Sequence, residues 1–232
     1  MPVGRHQLLA ALDHLLQPAN FKDYCPNGLQ VEGRTEITRV VSSVSACQAL
    51  IDKAISLRAD ALLVHHGYFW RSEDPCITGM KGRRIASLIR ADINLLAYHL
   101  PLDGHPVLGN NAGLGRALGL AEFAPLNPLN PSLPVFVGDF NENVPQAVLA
   151  DRLRGALGRD VISVLDKPVR RVAWCTGGGQ GYIDAAADAG ADLFVSGEIS
   201  EQTVHVARER GIGFIAAGHH ATERFGVQSV GD

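Results

Sequence analysis

Apolar residues in this chain fall into short uninterrupted runs separated by longer amphipathic stretches. Val40–Ser45, Ala61–Val64 and Ile93–Tyr98 read as strands, with helices over Ala46–Leu57 and Arg83–Arg90 between them. The same order recurs later. Val172–Thr176, Leu193–Ser196 and Phe214–Ala217 read as strands, and Tyr182–Ala189 and Glu201–Arg210 as helices. Runs as short as Ala61–Val64, bounded by polar residues and glycine, suit strands buried on both faces. Strands alternating with helices predict an α/β fold with parallel pairing and helices packed on the sheet.

The two sets are copies. With Arg39 placed over Arg171, the chain runs without a gap to Asp60 over Asp192. Eight of those 22 positions are identical: Arg39/Arg171, Val40/Val172, Gln48/Gln180, Ile51/Ile183, Asp52/Asp184, Ala54/Ala186, Ala59/Ala191 and Asp60/Asp192. Chance would supply about one or two. After the strand Ala61–Val64, over Leu193–Ser196, the first copy carries 12 extra residues, so that His99 falls over His219 and Asp103 over Glu223. Two copies indicate a duplicated α/β unit rather than a solenoid, which needs at least three. Pro125–Pro134 is rich in proline and asparagine and predicts the boundary. The expected units are 1–124, which includes an amphipathic N-terminal helix, and 125–232.

At 232 residues the chain can build one large domain or two small ones, and 46% hydrophobic residues can fill an ordinary core. A net charge of −3 leaves no basic footprint for nucleic acid. No apolar stretch approaches the ~20 residues of a membrane span, and the first 16 residues lack the uninterrupted apolar core of a signal peptide. The four cysteines show no CxxC or other close spacing, which predicts reduced packing residues in a cytoplasmic protein.

Candidate chemistry gathers at strand ends, where α/β sheets bind ligands. His65 and His66 end one apolar run, His99 another, and His219 and His220 a third; Glu198 follows a fourth. Mixed histidine and carboxylate clusters are the ligand set of first-row metals. Neighbouring side chains on a strand point to opposite faces, so His65 and His66 are expected to serve two ions, one each. A carboxylate can bridge two ions, and Glu223, four residues past His219, shares its side if a helix starts there. Pro101 and Gly104 predict a loop around Asp103. Glu198, over His66 in the repeat, either partners a ligand or acts as a general base, or else caps the next helix. His220 is the less well-spaced member of its pair. His205, His105, His6 and His14 read as surface or turn residues. Gly177-Gly178-Gly179 reads as a plain turn before a helix rather than a phosphate cradle. Tyr68-Phe69-Trp70 either walls the cleft and stacks on a purine or packs against a loop or subunit.

These residues carry a family resemblance. The stretches Tyr24–Gly33, Val64–Trp70, His99–Pro106, Asn110–Ala112, Val172–Gln180, Ser196–Thr203 and Ala217–Arg224 together resemble the YbgI-type dinuclear-metal proteins. This is the NGG-one-interacting-factor-three-like family, whose members are often labelled GTP cyclohydrolase I type 2 homologues. The resemblance implies two interlocked α/β repeats related by a pseudo-dyad, and two divalent metal ions (zinc, iron, manganese or nickel) held by His65, His66, Asp103, His219 and Glu223. It also implies a toroidal homohexamer. The label implies a metal-dependent hydrolase that attacks the imidazole ring of a purine nucleotide at C8. The label leaves the catalytic residues unassigned; by their places at strand ends Glu198 and His99 are the candidates. The alternative is a non-catalytic metal-binding or assembly protein. Members usually continue past Gly226 with a full helix and a final strand. The resemblance therefore implies a truncated C-terminal helix and strand in a chain that ends at Asp232.

Overall fold

The computed structural model describes residues 2–232 and has two compact units. The first comprises residues 2–102 with Gly226–Asp232, and the second Asp103–Phe225.

The first unit holds a four-stranded sheet in the order Gly28–Val31, Asn94–Ala97, Ala61–His66, Val40–Ser45. The last three strands are parallel, and Gly28–Val31 joins the edge antiparallel. Alternation along these strands feeds two cores. Leu62, Val64, Leu95 and Ala97 pack with Ile51, Ala54, Ile85 and Leu88 on one face. Ala61, Leu63, Leu96 and Tyr98 pack with Leu12, Leu16 and Val227 on the other. Burial of both faces is why these strands are apolar throughout.

The second unit repeats the three parallel strands as Pro168–Cys175, Leu193–Ser196 and Gly213–Ala216. Antiparallel strands extend that sheet: Phe136–Pro145 and Ala124–Pro125 beyond one side, Ile162–Val164 beyond the other. Phe136–Pro145, the helix Gln146–Leu157 and Ile162–Val164 lie outside the copied pattern, which does not predict them.

The duplication extends to individual hydrogen bonds. Asp60 Oδ2 accepts from the N–H groups of Thr38 and Arg39, both at 2.8 Å. Asp192 Oδ2 accepts from those of Arg170 and Arg171, at 2.9 and 3.0 Å. Each aspartate also returns its own N–H to the carbonyl of the paired arginine, at 2.8 Å in both copies. The carboxylate thus clamps the entry to one strand against the start of the next, which explains the identity of Asp60 and Asp192. Burial pushes the Asp60 carboxyl up, but the two N–H donors and the Arg34 guanidinium outweigh it and hold the group below the usual range.

The chain passes from the first unit to the second within a helix. The change at Leu102/Asp103 lies inside the short helix Leu100–Gly104, not between 124 and 125. The helix Asn110–Leu118 buries Leu114 and Leu118 against Leu149, Leu153 and Trp174 of the second core. The proline-rich segment packs Leu126 and Leu133 against another core of the same unit, which holds Phe194 and Phe214. At the far end Arg224–Gly231 is helical, and its Val227 returns to the first core. Packing of these helices, which local sequence does not report, decides the division.

Candidate metal centre

In the first unit three imidazoles converge. His65 and His66 are the last two residues of the strand Ala61–His66 rather than residues beyond it. Their ring centroids are 4.5 Å apart, and His99 lies 5.0 Å from His65 and 5.8 Å from His66. One ring nitrogen from each falls within 4.8 Å of the others, as a shared ion would require. The expectation that strand alternation keeps the adjacent pair apart is corrected, because the strand ends here and both rings reach the same region.

Each ring is oriented through Nδ1. His65 Nδ1 lies 3.1 Å from the Tyr98 carbonyl, which can only accept, so Nδ1 carries the hydrogen and the lone pair is on Nε2. His66 Nδ1 contacts Ser45 Oγ at 3.3 Å. His99 Nδ1 lies 2.9 Å from Asp23 Oδ1. Asp23 is held in turn: its Oδ2 accepts from the Leu100 N–H at 2.9 Å and from Asn27 Nδ2 at 3.0 Å. Burial raises the Asp23 carboxyl, but His99, Asn27 and the Leu100 N–H together bring it far below the usual range. A carboxylate behind an imidazole fixes its tautomer and ring orientation. Asp23 escapes sequence reading because it sits 76 residues from His99, on a loop with no periodic signal.

The second unit gathers the acidic side of the candidate set. His219 opens the short helix His219–Thr222 and Glu223 closes it. His219 Nε2 meets Glu223 Oε1 at 3.1 Å, and His219 Nδ1 meets Glu198 Oε1 at 2.6 Å. The Glu223 hydrogen bond pushes the His219 imidazole up to about 9; burial opposes this, and Glu198 adds to it. Glu198 therefore partners His219. The following helix, Glu201–Arg210, is capped instead by Ser200, whose Oγ accepts from the Thr203 N–H at 3.2 Å. Glu223 and Asp103 are both buried. Asp103 lies in the helix Leu100–Gly104, not on the expected loop. Its Oδ1 accepts from Asn110 Nδ2 at 2.8 Å and from Thr176 Oγ1 at 3.1 Å. Asn111 secures the same region, receiving the Thr176 N–H at 3.0 Å and donating to the Asp103 carbonyl at 3.2 Å. His220 makes none of these contacts, in line with its poorer spacing. His205 pairs with Glu201 on an exposed helix face, and His105 Nδ1 accepts from the Val107 and Leu108 N–H groups in a turn.

Gly177 has a specific reason to be glycine. Its φ is +65°, and a Cβ there would press into Glu223 Oε1 and stand 3.2 Å from His219 Nε2. The lack of a side chain at Gly177 thus leaves room for the Glu223 carboxylate and the His219 ring. Gly177→Ala is expected to cost about 1–3 kcal/mol through backbone strain and a displaced carboxylate. Thermal unfolding checks this, and an unchanged midpoint would refute it.

The donor chemistry of both units fits a borderline divalent cation: imidazoles oriented through Nδ1, and the buried carboxylates of Asp103 and Glu223. Duplicated α/β sheets with these clusters define the class, a candidate metal-binding α/β protein. The chain belongs to the DUF34/NIF3 (NGG1p interacting factor 3) family, which matches residues 3–232. It is 55% identical to a Pseudomonas aeruginosa protein named GTP cyclohydrolase 1 type 2 homolog, over all of this chain and 92% of that one. A Haemophilus influenzae protein of the same name is 51% identical, over 97% of this chain and 91% of its own length. A solved structure described as protein ybgI, of unknown function, superposes with a TM-score of 0.92 at 48% identity, covering 98% of this chain and 92% of that one.

Proposed function

We propose that the chain binds two divalent metal ions through His65, His66, Asp103, His219 and Glu223, and that it is a hydrolase acting on a nucleotide or related ring. The single observation that carries the metal reading is that ring nitrogens of His65 and His66 come within 4.8 Å of each other at one strand end, with His99 beside them. The buried Glu223 carboxylate on His219 supports it from the second unit. Bound ions would supply Lewis acidity and an activated water for hydrolysis.

The chain's own residues then have distinct work. Asp103 and Glu223 bring negative charge to the cations, with Asn110 and Thr176 keeping Asp103 in one rotamer. Glu198 holds His219 through Nδ1, and Asp23 holds His99 through Nδ1, which leaves Nε2 of His99 to accept a proton from a reacting group. The names carried by relatives supply the nucleotide class, as a reading of this chain rather than an assignment.

The test is turnover. Protein loaded separately with zinc, manganese, iron or nickel is incubated with GTP and a nucleotide panel, and product is followed by chromatography. Opening or hydrolysis of a nucleotide that is lost in His99→Gln, with metal content kept, supports the enzyme. Absence of turnover with all four metals leaves the non-catalytic metal-binding protein. The reading includes a toroidal homohexamer. Light scattering is expected to give about six times the 24.8 kDa chain mass, and a monomer mass would remove that part.

A further inference from the structure

An aromatic lip in the first unit stands beside the imidazole cluster. Tyr24 is 50% exposed, a costly position for a ring of that size. Its centroid is 4.9 Å from His99 and 5.8 Å from Trp70. Trp70 packs edge-on to His99 at 5.0 Å and to His66 at 5.8 Å. The two large rings thus flank the same imidazoles.

The loops that present these rings are built to hold them. Phe69, just before Trp70, has φ of +65°, a left-handed conformation rare for a bulky residue. Glu73 Oε2 accepts from the Phe69 and Trp70 N–H groups at 2.9 and 3.3 Å and closes that turn. The Arg71 N–H donates to the Tyr24 carbonyl at 2.8 Å, and Arg71 Nη2 to the Asp23 carbonyl at 3.1 Å, tying the two loops together. Asp23 Oδ1 accepts from the Tyr24 N–H at 2.7 Å. The strained turn seats Phe69 against the core, and the network of backbone bonds holds Trp70 and Tyr24 beside the imidazoles. A shallow cavity of about 470 Å³ lies against this lip, lined by Tyr24, Trp70, Arg71 and Ser72.

We propose that this cavity is a binding subsite for a planar heteroaromatic ring bearing an anionic group. The ring stacks on the outer face of Tyr24 or Trp70, and the anion meets Arg71 and the Ser72 hydroxyl. Stacking outside rather than between follows from spacing. A sandwiched ring needs about 7 Å, two contacts of ~3.5 Å each, and the rings are 5.8 Å apart. Aromatic faces select for a flat π-system of any base type. The exposed guanidinium, with donors besides the one on Asp23, selects for phosphate or carboxylate. Stacking here brings the edge of the ligand toward His66 and His99. The inference deepens the proposed nucleotide chemistry and rests on it for its catalytic meaning, but binding can be measured without metal.

The chain has two tryptophans, and Trp174 is fully buried. Quenching of intrinsic fluorescence therefore reads Trp70. Chelator-treated full-length protein is titrated with guanosine 5′-monophosphate, guanosine and ribose 5-phosphate. Saturable quenching by the nucleotide, weaker quenching by the nucleoside and none by the sugar phosphate is expected. Tyr24→Leu should weaken the nucleotide about tenfold, and Arg71→Met should abolish its advantage over the nucleoside. Trp70→Phe should remove the signal, and its circular dichroism spectrum confirms that it folds. Equal binding of ribose 5-phosphate, quenching that survives in Trp70→Phe, or no quenching by the nucleotide would each overturn the proposal. A subsite that binds in protein unable to hold metal would leave the subsite standing and remove the metal reading alone.

Discussion

Glu223→Ala is expected to strip the protein of metal while leaving it folded. Glu223 is buried, and its Oε1 lies 3.1 Å from His219 Nε2. Loss of a neighbour that only orients a ligand already lowers affinity by about 10–100-fold; loss of a carboxylate that itself ligates should exceed that. Alanine removes a buried anion rather than stranding one, and the helices on either side end and begin independently of its side chain. Elemental analysis after incubation with zinc or manganese, beside a circular dichroism spectrum, checks both halves of the expectation. Wild-type metal content in a folded Glu223→Ala protein would refute the ligand assignment. Glu198→Gln makes the graded comparison. It keeps a hydrogen-bonding group on His219 Nδ1 and should lower affinity by only about tenfold.

The second large effect is on stability. Asp60→Ala removes the acceptor shared by the Thr38 and Arg39 N–H groups and the anion opposite Arg34, at 2.9 Å. Two donors to a charged oxygen, now without their partner in a part-buried position, should cost about 3 kcal/mol. For a chain of this size that lowers the unfolding midpoint by roughly 10 °C. The pH dependence has a defined sign. Asp60 has a depressed folded-state pKa, so its contribution is present above the unfolded value of ~3.9. It is lost as the pH falls through the lower folded value. The gap between wild type and Asp60→Ala should therefore be constant from pH 7 to about 5 and narrow below about 4. A gap that widened in acid would contradict the clamp as described. The equivalent Asp192→Ala should destabilise as well, since Asp192 accepts the matching pair of N–H groups.

The same clamp shows how much of the fold is legible in the sequence. Asp60 and Asp192 stand out as a repeated pair in the bare chain, because the task they perform is local: one carboxylate satisfies two amides at a fixed offset. The parallel strands are legible for a similar reason. Burial on both faces leaves a dense apolar run, and Leu193–Ser196 and Glu201–Arg210 begin and end where periodicity places them. Phe136–Pro145 is not legible, since it buries only one side of its first half and runs out into exposed Asn141, Glu142 and Asn143.

The candidate site divides along the same line. Histidines and carboxylates at strand ends are readable from residue type and from the duplicated frame, since metal chemistry restricts which side chains can serve. What local sequence does not show is what orients each of them. Asp23 behind His99, the Tyr98 carbonyl behind His65, and Asn110 with Thr176 around Asp103 are all distant in sequence and of ordinary composition. By itself the sequence determined the α/β class, the duplication and the donor atoms, because these depend on short-range pattern and on chemistry carried by single residues. Only the tertiary structure decided where one unit ends, which nitrogen each imidazole turns to the protein, and why Gly177 must lack a side chain. Those depend on which distant groups come within a hydrogen bond of one another.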